Sequence, residues 1–126
     1  MGTGTDLGRV RGLGAAKSGV DHWWHQRVTA VANLGLLLWF VITLVRLPAL
    51  DYATVVAWLR QPVAAIPMLL LIVSVFYHLR LGVQVFVEDY LHNEGTKLLA
   101  LLMLNFYALG GAAAAVFAVL KIALGA

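Results

Sequence analysis

The chain has 126 residues, of which 62% are hydrophobic and only 12% charged, and its mean hydropathy is +0.88. Soluble domains usually carry about twice that charged fraction, and a chain this short is one domain with no larger core to hide its apolar excess, so lipid is its simplest solvent. The formal charge of +3 and pI near 9.6 do not point to nucleic acid, because the basic residues are scattered at segment ends, and the lack of cysteine excludes disulfides, thiolate metal sites and Cys-ligated clusters.

Residues 1–21, MGTGTDLGRVRGLGAAKSGVD, are glycine-rich and hold no apolar block. A secretory signal needs an apolar core of roughly 7–15 residues, so this segment reads as a flexible tail on the cytoplasmic side. Residues 22–126 read as the anchor domain. It opens on HWWHQRVTAVA, where Trp23 and Trp24 have the character of interfacial aromatics and Arg27 stands at the head of the first apolar run. His22 and His25 fall at the interface and His92 in a loop, where each reads as a solvated histidine.

Three apolar runs follow, about 28–47, 63–87 and 98–124. Each exceeds the roughly 20 helical residues that cross a ~30 Å hydrocarbon core, and none shows the alternation of a membrane barrel strand. The fold class is therefore an all-α membrane protein of three transmembrane helices, forming part of a multi-subunit helical bundle. Pro48 and Pro62 bracket the first connection, Pro67 lies near the start of the second span, and HNEGT (92–96) links the second to the third. Arg9, Arg11, Lys17, Arg27 and Lys97 fall on one side of the membrane and Arg46, Arg60 and Lys121 on the other, a bias that places the N-terminus inside. The third span carries Gly110, Gly111 and the run Ala112–Ala115, a small-residue face suited to close approach of another helix.

The second span contains residues foreign to lipid. His78 lies deep within it, where an ionisable side chain faces protein rather than lipid and reads as a ligand or proton relay in preference to a satisfied interior histidine. At 100° per residue Ser74 and Gly82 share its face, and Gly82 leaves room beside the imidazole for a bulky flat group or a neighbouring helix. Asp89 returns to nearly the same angle roughly 16 Å along the axis, with Tyr90 beside it at the boundary. Arg80 points about 200° away from His78, toward another subunit or snorkelling to the interface. Arg27, Asp89 and Tyr90 fall on one membrane side. They could converge on a polar headgroup whose tail lies in lipid, or Arg27 could instead bind lipid phosphate, with Asp89 paired to Lys97 or Arg27.

The spacing His78-x-x-x-Gly82-x-x-x-x-x-x-Asp89-Tyr90, with the upstream arginine, three spans and GVQVFVEDYLHNEGTK, resembles the small hydrophobic membrane anchors of succinate dehydrogenase, respiratory complex II, in their alphaproteobacterial and mitochondrial-like form. The resemblance covers about residues 19–124. The companion cytochrome b-type anchor of that complex typically carries a Ser-x-x-His-Arg-x-Thr-Gly motif, whereas this chain has His25-Gln26-Arg27-Val28-Thr29.

The resemblance implies that His78 is an axial ligand of the iron of haem b, shared with a histidine of the companion cytochrome b-type anchor. It implies that Tyr90 hydrogen-bonds ubiquinone, the substrate, with Asp89 and Arg27 nearby. The implied partners are a flavoprotein subunit, an iron–sulphur subunit and the cytochrome b-type anchor, in a bacterial inner membrane rather than a mitochondrial one. FAD and the iron–sulphur clusters belong on those partners, since this chain has neither a flavin-binding glycine motif nor cysteine. Within the complex it would serve as a non-flavin component of a succinate:quinone oxidoreductase. The competing readings are a haem-free structural anchor and a small transporter component in which His78 and Asp89 relay protons.

Overall fold

A computed structural model describes residues 5–10 and 19–125, and every described element is a helix: α1 (Asp6–Val10), α2 (Gly19–Arg46), α3 (Tyr52–Leu59), α4 (Pro62–Tyr90) and α5 (Glu94–Ala123). Helices α2, α4 and α5 are 28, 29 and 30 residues long and apolar enough to cross a membrane. At 1.5 Å per residue each exceeds a ~30 Å hydrocarbon core, so their ends reach into the interface. Much of the tail expected over 1–21 lies outside the described residues. Its described part holds the short helix α1, and α2 begins at Gly19, well before the apolar run that marks the first span.

Local chemistry sets the helix ends. Asp51 caps α3 in extended backbone, its carboxylate accepting from the Thr54 amide at 3.1 Å. Hydrogen bonds from the Thr54 side chain and then its backbone hold the Asp51 carboxyl below its ordinary pKa. Helix α4 starts with Pro62 at its first position, where no amide partner is needed. It continues through Pro67, which has no amide to offer the Val63 carbonyl. Asn93 caps α5, its side-chain oxygen accepting from the amides of Gly95 at 3.0 Å and Thr96 at 3.2 Å. Glu94 in the first turn suits the positive end of the helix dipole and lies 3.6 Å from Lys97.

The three long helices stand in a row. Helix α4 packs against α2 on one flank and α5 on the other, while α2 and α5 have no close backbone contact. The connection Leu91–Asn93 is so short that α5 runs antiparallel beside α4. At that hairpin's far end α3 closes the row: Trp58 and Leu59 pack with Ala64 and reach Trp39, Phe40, Leu44, Met68 and Ile122, so all three spans meet through it. Trp58 stacks on Trp39 with ring centroids 6.0 Å apart. The expected close approach on the third span occurs at Gly111, where an added Cβ would fall 2.6 Å from the Phe76 ring of α4. Few side chains are buried within the row, and large apolar residues such as Val31, Leu34, Val73, Phe106 and Leu109 face outward. That is the surface expected of a chain whose environment is lipid and neighbouring helices.

Candidate functional site

Four polar residues of α2, His22, Gln26, Thr29 and Asn33, recur at spacings of four, three and four that lay them in one stripe along the helix. Opposite them on α4 are Ser74, His78 and Gly82, one turn apart. The best-defined link between the two is Thr29 Oγ1 to His78 Nδ1 at 3.0 Å. Thr29 Oγ1 also lies 2.7 Å from the His25 carbonyl and 3.2 Å from that of Gln26. A hydroxyl has one proton, and the carbonyls can only accept, so the Thr29 hydroxyl donates into its own helix and accepts from His78. This bonding directs an Nδ1 proton to the Thr29 hydroxyl and leaves Nε2 as the nitrogen turned to no hydrogen-bond partner among the described residues.

His78 lies two residues from the midpoint of α4, half-buried, with its Nε2 bonded to no described residue. This donor set fits a single axial imidazole: the ring is at mid-membrane depth, its Nδ1 proton is held by the hydroxyl behind it, and its second nitrogen is unspent. Among the described residues no three His, Cys, Asp or Glu side chains converge on a point. Beside the Thr29–His78 link, Thr29, Ala32, Leu36, Leu70, Val73, Ser74 and Tyr77 line a groove of about 340 Å³.

The seam is wider than sequence reasoning allowed. His22 Nε2, Gln26 Oε1, Asn33 Oδ1 and Ser74 Oγ are buried with no hydrogen-bond partner among the described residues. His22, expected to be solvated, is half-buried on the seam because α2 is already helical there and turns it toward α4. The room expected beside Gly82 is taken by the Gln26 amide, whose nitrogen lies 3.4 Å from where a Gly82 Cβ would stand. Thr29, Gln26 and Asn33 were missed; their stripe spacing was the signal that could have found them. His25 is exposed, edge-on to Tyr77 at 6.0 Å, and His92 is exposed in the loop.

Arg27, Asp89 and Tyr90 lie on the same side of the row, beyond His78, but are not brought together. Arg27 is exposed and its guanidinium sits over the Trp23 ring, 5.4 Å from the centroid. Thr29 is level with His78, so in antiparallel helices Arg27 is level with about Arg80. Tyr90 stands ten residues, about 15 Å, further along. Tyr90 is 68% exposed and stacks on Phe86 at 4.5 Å, and Asp89 is exposed without an ion pair to any described residue. Lys97 pairs with Glu94 instead. Arg80, which had no assigned partner, donates from Nε to Asn105 Oδ1 of α5, and Asn105 Nδ2 donates to the Leu101 carbonyl at 2.7 Å.

The family model described as succinate dehydrogenase/fumarate reductase transmembrane subunit matches residues 1–112. The chain is similar to the succinate dehydrogenase hydrophobic membrane anchor subunit of Rickettsia bellii, 33% identical over 86 residues, covering 68% of this chain and 69% of that one. Its likeness to the protein of the same name from Paracoccus denitrificans is 30% over 117 residues, covering 93% and 90%. The succinate dehydrogenase membrane anchor subunit of Reclinomonas americana is 28% identical over 96 residues, covering 74% and 80%. No solved structure matches the chain.

Proposed function

The chain belongs to the succinate dehydrogenase/fumarate reductase transmembrane subunit family as a hydrophobic membrane anchor subunit, and from that premise we propose that it supplies one axial ligand to haem b and part of a ubiquinone-reducing site. The observation that carries the haem reading is the Thr29–His78 contact of 3.0 Å, which leaves Nε2 of a mid-span imidazole free to ligate. The other ligand would be a histidine of the companion cytochrome b-type anchor, as the family resemblance implies. When bound, the haem would supply a one-electron store inside the membrane.

The quinone reading rests on Tyr90, exposed at the end of α4 and braced by Phe86. Reduction of a quinone to a quinol takes two electrons and two protons. The electrons would come from succinate, oxidised on the flavoprotein and passed through the iron–sulphur subunit. The Tyr90 hydroxyl would donate to a quinone carbonyl oxygen as negative charge develops there. Asp89, exposed beside it, would pass protons from water, and Arg27, about 15 Å deeper along the row, would add only a long-range positive potential. The relatives from Paracoccus and Rickettsia support a bacterial inner membrane, and the charge bias supports a cytoplasmic N-terminus.

The test is a reduced-minus-oxidised spectrum of the assembled complex. A b-type signal that disappears in His78→Ala, with succinate oxidation by a soluble dye retained, is expected. An intact complex without that signal would leave the chain a structural anchor. Tyr90→Phe should impair quinone reduction and spare the dye reaction; equal loss of both would refute the assignment of Tyr90.

A further inference from the structure

The midpoint of the row holds a second polar group that the haem and quinone readings do not use. Arg80 lies four residues, about 6 Å, from the midpoint of α4, inside the hydrocarbon core of any bilayer these helices span. A guanidinium has five N–H donors. Nε is spent on Asn105 Oδ1, and the two terminal amino groups bond to no described residue. Asn105 is itself held by the Leu101 carbonyl, so the amide presents its oxygen to Arg80 in a fixed orientation. The pair lines a groove of about 340 Å³ between α4 and α5 whose other walls are Val73, Phe76, Tyr77, Ala108, Leu109 and Ala112.

An amide oxygen leaves the positive charge in place, and a charge at this depth needs a counter-charge. The described spans have none to give at that depth: Asp6 lies in α1 ahead of them, Asp21, Asp51, Asp89 and Glu94 lie at or beyond helix ends, and Glu88 is eight residues, about 12 Å, along α4 from Arg80. A second copy in the same orientation carries its carboxylates at those same wrong depths. A phospholipid phosphate belongs at the headgroups. Ala108 and Ala112 form a small-x-x-x-small wall that lets a helix backbone come close.

We infer that the Arg80–Asn105 pair is a carboxylate receptor at the membrane midplane, and that the groove between α4 and α5 is where a transmembrane helix of a different chain docks with an aspartate or glutamate against Arg80. The inference rests on the anchor reading only for the existence of neighbouring membrane chains, and it does not involve His78, haem or quinone. The free edge formed by the two terminal amino groups matches a carboxylate bidentately, which sets the depth and rotation of the incoming helix as well as holding it.

The experiment places a photoreactive benzophenone amino acid at Leu109, on the groove wall, in the intact complex in its native membrane, with Leu98 as the position outside the groove. Illumination should join Leu109, and not Leu98, to a spanning segment of another protein of the complex, with an acidic side chain within one turn of the adduct. Arg80→Glu should then reduce both that adduct and the co-purified partner roughly tenfold or more, and changing the partner's acid to arginine should restore them. Adducts confined to phospholipid or to a second copy, an adducted helix without an acid, or a charge swap that restores nothing would each overturn the inference. The crosslinking arm uses the chain with Arg80 intact, so it stands even where Arg80→Glu does not accumulate. Whether that chain co-purifies with its partners at all reads the anchor assignment separately.

Discussion

Replacing Thr29 by valine keeps the side-chain shape and removes the one group among the described residues that hydrogen-bonds His78. The Nδ1–H of a half-buried imidazole then has no acceptor. Leaving a buried donor unsatisfied costs about 1–3 kcal/mol, which is roughly 5- to 150-fold in an equilibrium at 1.4 kcal/mol per tenfold. The loss of a hydrogen bond behind a ligating histidine costs about 10- to 100-fold in metal affinity, so two independent routes reach the same size. In the proposed haem site the bond would make the imidazole a stronger electron donor and favour the oxidised iron, so its loss should raise the midpoint potential. The assay is a redox titration of the b-type signal in the assembled complex, together with haem retained through repeated detergent washing. Thr29→Ser, which keeps an oxygen at that position, should behave like the parent in both. Dye-linked succinate oxidation reports assembly and should be unchanged in either variant. A Thr29→Val complex with parental potential and parental haem retention would refute the role given to this hydroxyl.

Gly111→Ala forces a Cβ to within 2.6 Å of the Phe76 ring, and overpacking of this kind costs about 1–3 kcal/mol, so the complex should melt at lower temperature. Gly110→Ala meets nothing within 4 Å and should melt like the parent; equal effects would contradict the row packing of α4 and α5. The Asp51 carboxyl has its pKa lowered on folding, so its contribution to the α3 cap is complete above the unfolded value near 3.8 and is lost as pH falls through the lower folded value. Amide exchange at Thr54 and Val55 should therefore gain an acid-dependent opening below about pH 4. Asp51→Asn, which still caps but does not titrate, should abolish that pH dependence. Asn93→Ala removes the acceptor for two α5 amides and should cost about 0.5–2 kcal/mol, read as faster exchange at Gly95 and Thr96.

The spans were legible because each is a continuous apolar run, a signal that needs no knowledge of neighbours. His78 was legible because an imidazole in such a run has few ways to be tolerated. Gly111 was legible as a small residue, although its partner Phe76 was not. Helix α3 was hidden because eight residues with two bracketing prolines look like a connection; it is made by the Asp51 cap and by Trp58 reaching Trp39 and Phe40, which are distant in sequence. The seam on α2 was obscured by its own flanks, since HWWHQR reads first as an interfacial belt. The partner of Arg80 could have been found: with a three-residue turn, residues equidistant from it meet, and Arg80 and Asn105 lie twelve before and thirteen after His92.

The row arrangement explains why two ionisable residues only two apart on α4 have such different surroundings. A step of two residues turns a helix by about 200°, and α2 and α5 lie on opposite flanks of α4, so His78 is delivered to one neighbour and Arg80 to the other. Each neighbour satisfies part of the group it receives: Thr29 takes the Nδ1 proton and leaves Nε2, while Asn105 takes one guanidinium donor and leaves the charge. Unspent polar groups near the bilayer midplane are expensive, and water is not there to satisfy them. Nothing else among the described residues can meet either need, because α2 and α5 do not close around α4 and its carboxylates lie toward the helix ends. On the proposed readings completion would come from outside on both flanks, and the same residues would tie the chain's folding to assembly. The Thr29 and Arg80 substitutions separate the two flanks: the first should alter a bound group while the complex stays whole, and the second should loosen the complex itself.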